Sequence, residues 1–313
     1  MHPLPTDQDL IDRIRHTTPH ITITTLEGSR WGRLISPAPL STLPPKPATL
    51  NMVFIGSWTL GLLALEALTG IMKEQPGMIN LRGLVTDDPL DTEAKISAKK
   101  RFWRYYSDTE KEKYEWGILH HALPLGIPCY TGDIKCDGFH KVLKEWDPDA
   151  ILVAGFGQLI DEIITHYPPL GIYNIHPSDL LQGYGAGPQP WEDLIARKAN
   201  TSRVTIHKVT EIIDSGSVVG RSPEINVLLQ DGSHCNDARM IGEKTFVPVE
   251  PMARELVLEL AARKKAGKTG FIDQIDFDNI FGPAYKSRLM ESINLSERGR
   301  ILPLPEGERS YTV

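Results

Sequence analysis

From residue 51 onward, short apolar runs alternate with longer segments of helical periodicity, and this alternation limits the folds open to the chain. The apolar runs include Met52–Ile55, INLRGLVT at residues 79–86, AILVA at 150–154 and GIYNI at 171–175. Strands that alternate with helices are typical of βαβ units and a mainly parallel sheet. We therefore predict an α/β, Rossmann-like fold whose sheet is flanked by helices. Further predicted elements are strands at 127–130, 203–208 and 217–219, and helices at 60–72, 137–145, 159–166, 191–197 and 245–265.

The sequence predicts that the chain has three parts: the alternating region and a segment on either side of it. Residues 1–49 form an N-terminal arm with a short strand within HITITTLEG (20–28), and a Pro-rich linker begins at residue 36. Residues 50–265 form the core, and residues 266–313 form a C-terminal extension. We interpret the arm as cover for a sheet edge. The extension either packs on the core or dimerises, so a homo-oligomer stays open.

The composition argues against several classes of protein. The 34 basic and 40 acidic residues give a formal charge of −6, which argues against a nucleic-acid partner. Three cysteines imply no disulfide framework and favour a reducing compartment, so we predict a cytoplasmic protein. The apolar stretch at residues 50–72 is long enough to span a membrane, but Gly56, Ser57 and Glu66 interrupt it. We interpret it as a strand, a turn and a helix, with no membrane partner.

The stretch YNIHPSDLLQGYGAGPQPW (173–191) combines polar residues at a strand end with a loop rich in glycine. Sites in parallel sheets lie at the carboxyl ends of strands, where Asn174 and His176 fall. The sequence lacks the motifs of several other kinds of site. It has no P-loop, G-x-S-x-G elbow or HExxH. GFGQLI (155–160) is an incomplete dinucleotide fingerprint. Its cysteines and histidines form no close-spaced zinc pair, so we predict no metal.

An Asn, a His and an acid together can perform acyl-group chemistry. His and a carboxylate share proton transfer, and Asn can donate a hydrogen bond to an oxyanion. The acid we select is Asp214, within TEIIDSGSVV. Each residue alone is more often a turn former or a structural residue. Their combination with the glycine loop favours a catalytic site.

The same residues resemble a known family. NIHPS at 174–178, Trp191, VTIH at 204–207 and DSG at 214–216 are similar to the catalytic core of the folate-dependent formyltransferases. The resemblance covers about residues 50–225. It implies 10-formyltetrahydrofolate as co-substrate and attack by an acceptor amine on the formyl carbon. Asn174 and protonated His176 would stabilise the oxyanion, and Asp214 would orient His176 or relay protons.

The resemblance also implies binding residues. The residues that would line the pteridine pocket are Phe156, Gly157, Gln158, Leu159, Ile160, Ile212 and Ile213. On the acceptor side we predict Ser57, Trp58, Ser178 and Tyr184. The chain departs from the family pattern at Leu181, where the family has Pro, and at Tyr184, where it has Arg.

The predicted function is therefore formyl transfer from 10-formyltetrahydrofolate to the amino group of a small acceptor, a class that includes phosphorylated and nucleotide-linked amines. One alternative is a formyltetrahydrofolate hydrolase, which uses water. That family carries an N-terminal regulatory domain longer than the arm here, which favours transfer. The other alternative is a non-catalytic folate or nucleotide binder, which need not keep all three polar residues.

A basic and aromatic segment, KISAKKRFWRYY at residues 95–106, has two interpretations. It could be a patch for an anionic acceptor, because cations and stacking rings suit nucleotides. It could equally be a solvated helix whose rings pack on the core. The acidic DTEKEKYE that follows would repel phosphate, so we favour the helix.

Overall fold

A nine-stranded sheet organises the computed structural model, which describes residues 7–28, 32–40, 48–90 and 105–300. In chain order the strands are β1 (Ile21–Thr24), β2 (Leu34–Pro37), β3 (Leu50–Gly56), β4 (Ile79–Val85), β5 (Cys129–Tyr130), β6 (Ala150–Ala154), β7 (Ile172–His176), β8 (Thr201–Ser202), β9 (Thr205–Lys208), β10 (Val218–Arg221) and β11 (Ile225–Asn226). The sheet order is β1-β2-β5-β4-β3-β6-β7-β9-β10, and β8 pairs separately with β11.

The five central strands, from β5 to β7, are parallel. Both faces of this centre are buried. On β3, Met52 and Phe54 belong to one apolar cluster, while Val53 and Ile55 belong to a second. Alternate side chains of a strand point to opposite faces, so the continuous apolar runs reflect a sheet covered on both sides. This confirms the predicted α/β fold.

Ten helices lie in the described ranges. They are α1 (Asp7–Ile14), α2 (Trp58–Glu74), α3 (Asp108–Ala122), α4 (Asp137–Trp146), α5 (Glu162–Thr165), α6 (Pro190–Ala196), α7 (Ala238–Thr245), α8 (Val249–Lys265), α9 (Phe277–Ile280) and α10 (Pro283–Met290). Helix α2 packs against α3 and α8. In the described part of the chain, no helix has the length and apolar character needed to cross a membrane.

The two ends of the sheet are antiparallel. At one end β2 pairs with β5 and β1 pairs with β2, so the arm supplies the outer strands. At the other end β9 pairs with β7 and β10 pairs with β9. The extension lies beside β10, because the Ile275 N–H donates to the Val219 carbonyl at 2.8 Å. Residues 266–300 thus pack on the core, whereas the three-part division of the chain stays a prediction.

Two predicted helices differ from the structure. The predicted helix at 159–166 is reduced to α5, because Asp161 caps it by accepting a hydrogen bond from the Ile164 N–H. The predicted helix at 245–265 begins only at Val249, since Pro248 has no N–H with which to continue a helix. The shortening of α5 matters for the cleft described below, because residues 159–161 join the loop that begins at Gly155.

Candidate functional site

A cleft with a volume of about 330 Å³ opens at the carboxyl ends of β6 and β7, within the size range of small-molecule sites. Four loops and the start of α2 surround it. Its lining residues are Trp58, Leu60, Asp87, Val153, Gly155 to Ile160, Asn174 to Pro177, Gly187, Pro188, Pro190, His207 and Val209 to Asp214. The three predicted catalytic residues are all among them.

Asn174, His176 and Asp214 meet at this cleft. Asn174 and His176 lie two apart on β7 and therefore share one face of the strand. Asp214 lies 40 positions after Asn174, in the loop that follows β9, and β9 runs antiparallel beside β7. The Asn174 amide donates to Asp214 Oδ1 at 3.3 Å, and His176 Nδ1 is 3.6 Å from Asp214 Oδ2.

Asp214 is held as a carboxylate. Burial alone would raise its pKa, but the contact with His207, the attraction to His176 when that ring takes up a proton and the hydrogen bond from the Gly187 N–H together lower it well below the usual range. The Gly187 contact is 2.7 Å long. Asp214 also adopts the left-handed backbone region at φ 49°. Acidic side chains tolerate this region better than most, and strained backbone collects at functional sites.

His176 is buried and neutral in the resting site. Burial lowers its pKa and outweighs the raising effect of Asp214. Its Nε2 lies 2.6 Å from the Gly185 carbonyl, which can only accept, so Nε2 carries the proton. The unprotonated Nδ1 then faces the Asp214 carboxylate. A proton that reached Nδ1 would be stabilised by this carboxylate, which fits a proton shuttle better than a permanently charged His176.

A second histidine, His207, was not among the predicted site residues. It is buried on β9, directly opposite Asn174 in the strand pairing. Its Nδ1 donates to the Lys208 carbonyl at 2.9 Å, and its Nε2 lies 3.1 Å from the Asn174 amide nitrogen. The same Nε2 lies 3.3 Å from Asp214 Oδ1. In the sequence, only the VTIH motif pointed to His207. The alternation of side chains along a strand places Thr205 and His207 on the same face.

The glycine loop after β7 is tied to this group. The Gly185 carbonyl accepts from His176 and from Ser178 Oγ at 2.9 Å, and the Gly185 N–H donates to Asp193. Gly185 has φ +76°, and a Cβ there would lie 2.7 Å from Ser178 Oγ. Only glycine fits so close to Ser178 in this conformation. The loop is thus a support for His176 and Asp214.

The predicted pteridine-pocket residues all line the cleft. Leu159, Ile212 and Ile213 are at least half exposed, so they offer apolar surface at its mouth. The Gln158 side chain turns away, accepting from the Ile134 N–H and donating to the Gly132 carbonyl. It therefore anchors the loop at residues 155–160.

The predicted acceptor-side residues separate into two groups. Trp58 lines the cleft, whereas Ser57, Ser178 and Tyr184 are not among its lining residues. Ser57 and Ser178 are buried, and their hydroxyls bond within the protein. Tyr184 lies beneath the Arg197 guanidinium, 4.9 Å from its ring centre. Ser57 and Ser178 would therefore act on an acceptor only through their neighbours.

Two other features bear on earlier predictions. Glu162, His166 and Glu211 are exposed and bring possible metal-ligand atoms within 4.8 Å of one another at the rim of the cleft. Such exposed groups are common without an ion. Most of the basic and aromatic segment lies outside the described residues. At its described end, the Tyr105 hydroxyl donates to Glu192 at 2.7 Å, and Tyr106 packs under Arg239.

Comparison with known proteins agrees with this geometry. Residues 135–240, which include Asn174, His176 and Asp214, match the formyl transferase family model. Methionyl-tRNA formyltransferase of Syntrophus aciditrophicus is 40% identical over 86 residues, which is 28% of this chain and 27% of that protein. The Koribacter versatilis enzyme of the same name is 29% identical over 167 residues, 53% of this chain and 50% of that protein. The chain thus spans half or less of the length of these relatives.

Solved structures show the same fold. Phosphoribosylglycinamide formyltransferase from Anaplasma phagocytophilum aligns with a TM-score of 0.51 and 20% identity, over 69% of this chain and 88% of that one. Glycinamide ribonucleotide transformylase 1 from Symbiobacterium toebii aligns with a TM-score of 0.50 and 17% identity, over 70% and 92%. Residues 135–240 of this chain thus match the formyl transferase family, and about 70% of the chain shares its fold with these solved structures.

Proposed function

We propose that the protein transfers a formyl group from 10-formyltetrahydrofolate to the amino group of a small acceptor. The observation that carries the proposal is the meeting of Asn174, His176 and Asp214 at one end of an otherwise mostly apolar cleft. A formyl group needs no metal to react with an amine. It needs a donor for the developing oxyanion and a route for protons, and these side chains can supply both.

The fit of the co-substrate rests on the loop at residues 155–160 and on Ile212 and Ile213. These residues give an apolar wall that would hold a flat ring, with backbone groups at its edge. The position of Asn174 beside this wall supports a formyl group placed between the ring and the acceptor. The match of residues 135–240 to the formyl transferase family model supports the folate as co-substrate.

The proposed chemistry balances within the site. The amine nitrogen attacks the formyl carbon, and the carbonyl electron pair moves onto oxygen. Asn174 would donate to this oxyanion by turning one N–H away from Asp214 or His207. Nδ1 of His176 would take the proton released by the amine, and the Asp214 carboxylate would stabilise the imidazolium that forms. The oxyanion then re-forms the carbonyl as the carbon–N10 bond breaks, N10 takes up the proton from His176, and tetrahydrofolate leaves.

The test follows tetrahydrofolate release from 10-formyltetrahydrofolate by the purified protein, first alone and then with pools of amines. We expect slow release alone and acceleration by at least one pool. Asp214→Asn and His176→Ala should each reduce the accelerated rate by about 10²–10⁴. Fast release without any amine that these variants abolish would identify a hydrolase. If the folate neither binds nor reacts, the catalytic proposal is wrong and a binding protein takes its place.

A further inference from the structure

One corner of the cleft, between β6 and the start of α2, is filled by the Trp58 indole. Trp58 begins α2 in the left-handed backbone region, at φ 48°. A bulky residue in this region is strained, so the surrounding structure must hold it there. Its Nε1–H donates to the Gly155 carbonyl at 2.5 Å. A Cβ on Gly155 would lie 2.7 Å from this nitrogen, so the ring lies directly against the loop backbone.

The indole has a fixed orientation. It makes edge-to-face contacts with Trp191 (ring centres 6.2 Å apart) and with Phe246 (5.7 Å). The indole N–H already donates to the Gly155 carbonyl. The indole therefore presents ring carbon atoms, and no hydrogen-bond donor, to the cleft. Such a surface favours a ring or another apolar body, since aromatic faces gain most from stacking and apolar contact.

The Ser57 hydroxyl at the same corner is engaged within the protein. A hydroxyl at the start of a helix can add a donor to the N–H groups that bind an anion. Here the Ser57 side chain points elsewhere and does not cap α2. Its hydroxyl accepts from the Asp87 N–H at 3.2 Å and lies 3.4 Å from Thr86 Oγ1. The Ser57 N–H donates to the Ala154 carbonyl.

The charges around the cleft point the same way. Among the described residues that line it, Glu211 and Asp214 carry carboxylates, and there is no Lys or Arg. A dianionic phosphate in this space would be next to like charges, without a described cation to balance it. Juxtaposed like charges are unfavourable and are a common means of rejecting a ligand.

We propose that Trp58 determines acceptor specificity and that the acceptor is a ring-bearing amine without a phosphate group. The indole packs against the ring of the acceptor and leaves its amine toward Asn174 and His176. The carboxylates of Glu211 and Asp214 favour a neutral or cationic amine and disfavour its phosphorylated counterpart. This inference rests on the proposed formyl transfer and names the class of its substrate.

The experiment compares matched pairs of ring amines, each with and without a phosphate ester; glucosamine and glucosamine 6-phosphate are one pair. Calorimetry first measures binding of the folate donor to the wild-type protein. Tetrahydrofolate release then gives kcat/KM for each amine. We expect the unphosphorylated member to be preferred by at least about tenfold in the accepted pairs. Preference for the phosphorylated member, or no turnover of any unphosphorylated ring amine, would overturn the inference.

Donor binding separates the two proposals. If the donor neither binds nor reacts, the proposed function itself fails. If the donor reacts but phosphorylated amines are preferred, only the present inference fails. Trp58→Ser should raise the acceptor KM between about threefold and tenfold, and Trp58→Phe should raise it less because a ring remains. Thermal unfolding verifies that each variant folds; if neither does, the wild-type pairs still decide.

Discussion

The Asp214 carboxylate accepts a hydrogen bond from the backbone N–H of Gly187 at 2.7 Å. This contact joins the loop after β9 to the glycine loop after β7, which lie far apart in the chain. Two positions earlier in the glycine loop, the Gly185 carbonyl accepts a hydrogen bond from His176 Nε2. The two loops and the two proposed catalytic residues therefore form one unit, so a change in the loop should affect the chemistry.

Replacement of Gly185 by Ala should damage this unit. The Cβ would lie 2.7 Å from Ser178 Oγ and force the carbonyl away from His176. We expect a loss of about 1–3 kcal/mol of stability and a clear fall in kcat. Gly183→Ala is the matched control, since Gly183 has φ +72° with nothing within 4 Å of a Cβ. Denaturant unfolding and tetrahydrofolate release measure both effects. Equal losses in the two variants would contradict a specific role for Gly185.

Replacement of Ser178 by Ala tests its position behind the cleft. Ser178 is fully buried and donates one of the two side-chain hydrogen bonds to the Gly185 carbonyl. We expect a loss of about 1 kcal/mol of stability, a fall in kcat of less than about tenfold and an unchanged acceptor KM. A large rise in acceptor KM with unchanged stability would instead place Ser178 in contact with the acceptor, as the sequence predicted.

The pH dependence of stability should reflect His176. Burial lowers its pKa in the folded protein, so the unfolded chain takes up a proton first as the pH falls. Its contribution is complete above the usual histidine pKa of about 6.5 and is lost as the pH falls below it. The contribution of Asp214 to stability stays constant between pH 5 and 7. Because its pKa is lowered in the folded protein, this contribution is lost only in stronger acid.

The measurement compares denaturant unfolding of the wild-type protein and His176→Gln between pH 5 and 8. The wild-type protein should lose stability toward pH 5, with a slope of at most about 1.4 kcal/mol per pH unit from this one proton. The variant should have a flatter profile. His120 and His121 also have lowered pKa values, but they contribute equally to both proteins. Parallel profiles would show that His176 is not protected from protonation.

The arm should behave as part of the fold. Ile35 is fully buried on β2, which pairs with β5. Ile35→Ala should cost about 2–5 kcal/mol of stability. Ile23→Ala on the outer strand β1, where the side chain is partly exposed, should cost about 1 kcal/mol or less. Thermal unfolding compares the two. Similar small losses would indicate an arm that unfolds independently of the core.

The local sequence determined much of this protein. Apolar runs placed the parallel strands, because strands buried on both faces must be apolar throughout. The motif N-x-H at the end of a strand identified two of the proposed catalytic residues, since alternation puts them on one face. Pro248 also stands in the sequence as a residue that interrupts helices, yet only the structure shows that α7 and α8 are separate helices on either side of it.

Only the tertiary structure decided the rest, because contacts between distant residues depend on strand order and direction. The antiparallel β9 brings His207 opposite Asn174 and lets the next loop return Asp214 to His176. The hydroxyls of Ser57 and Ser178 turn inward, since buried polar groups must find partners and Asp87 and Gly185 supply them. The same packing against Gly155 gives Trp58 its place in the wall of the cleft.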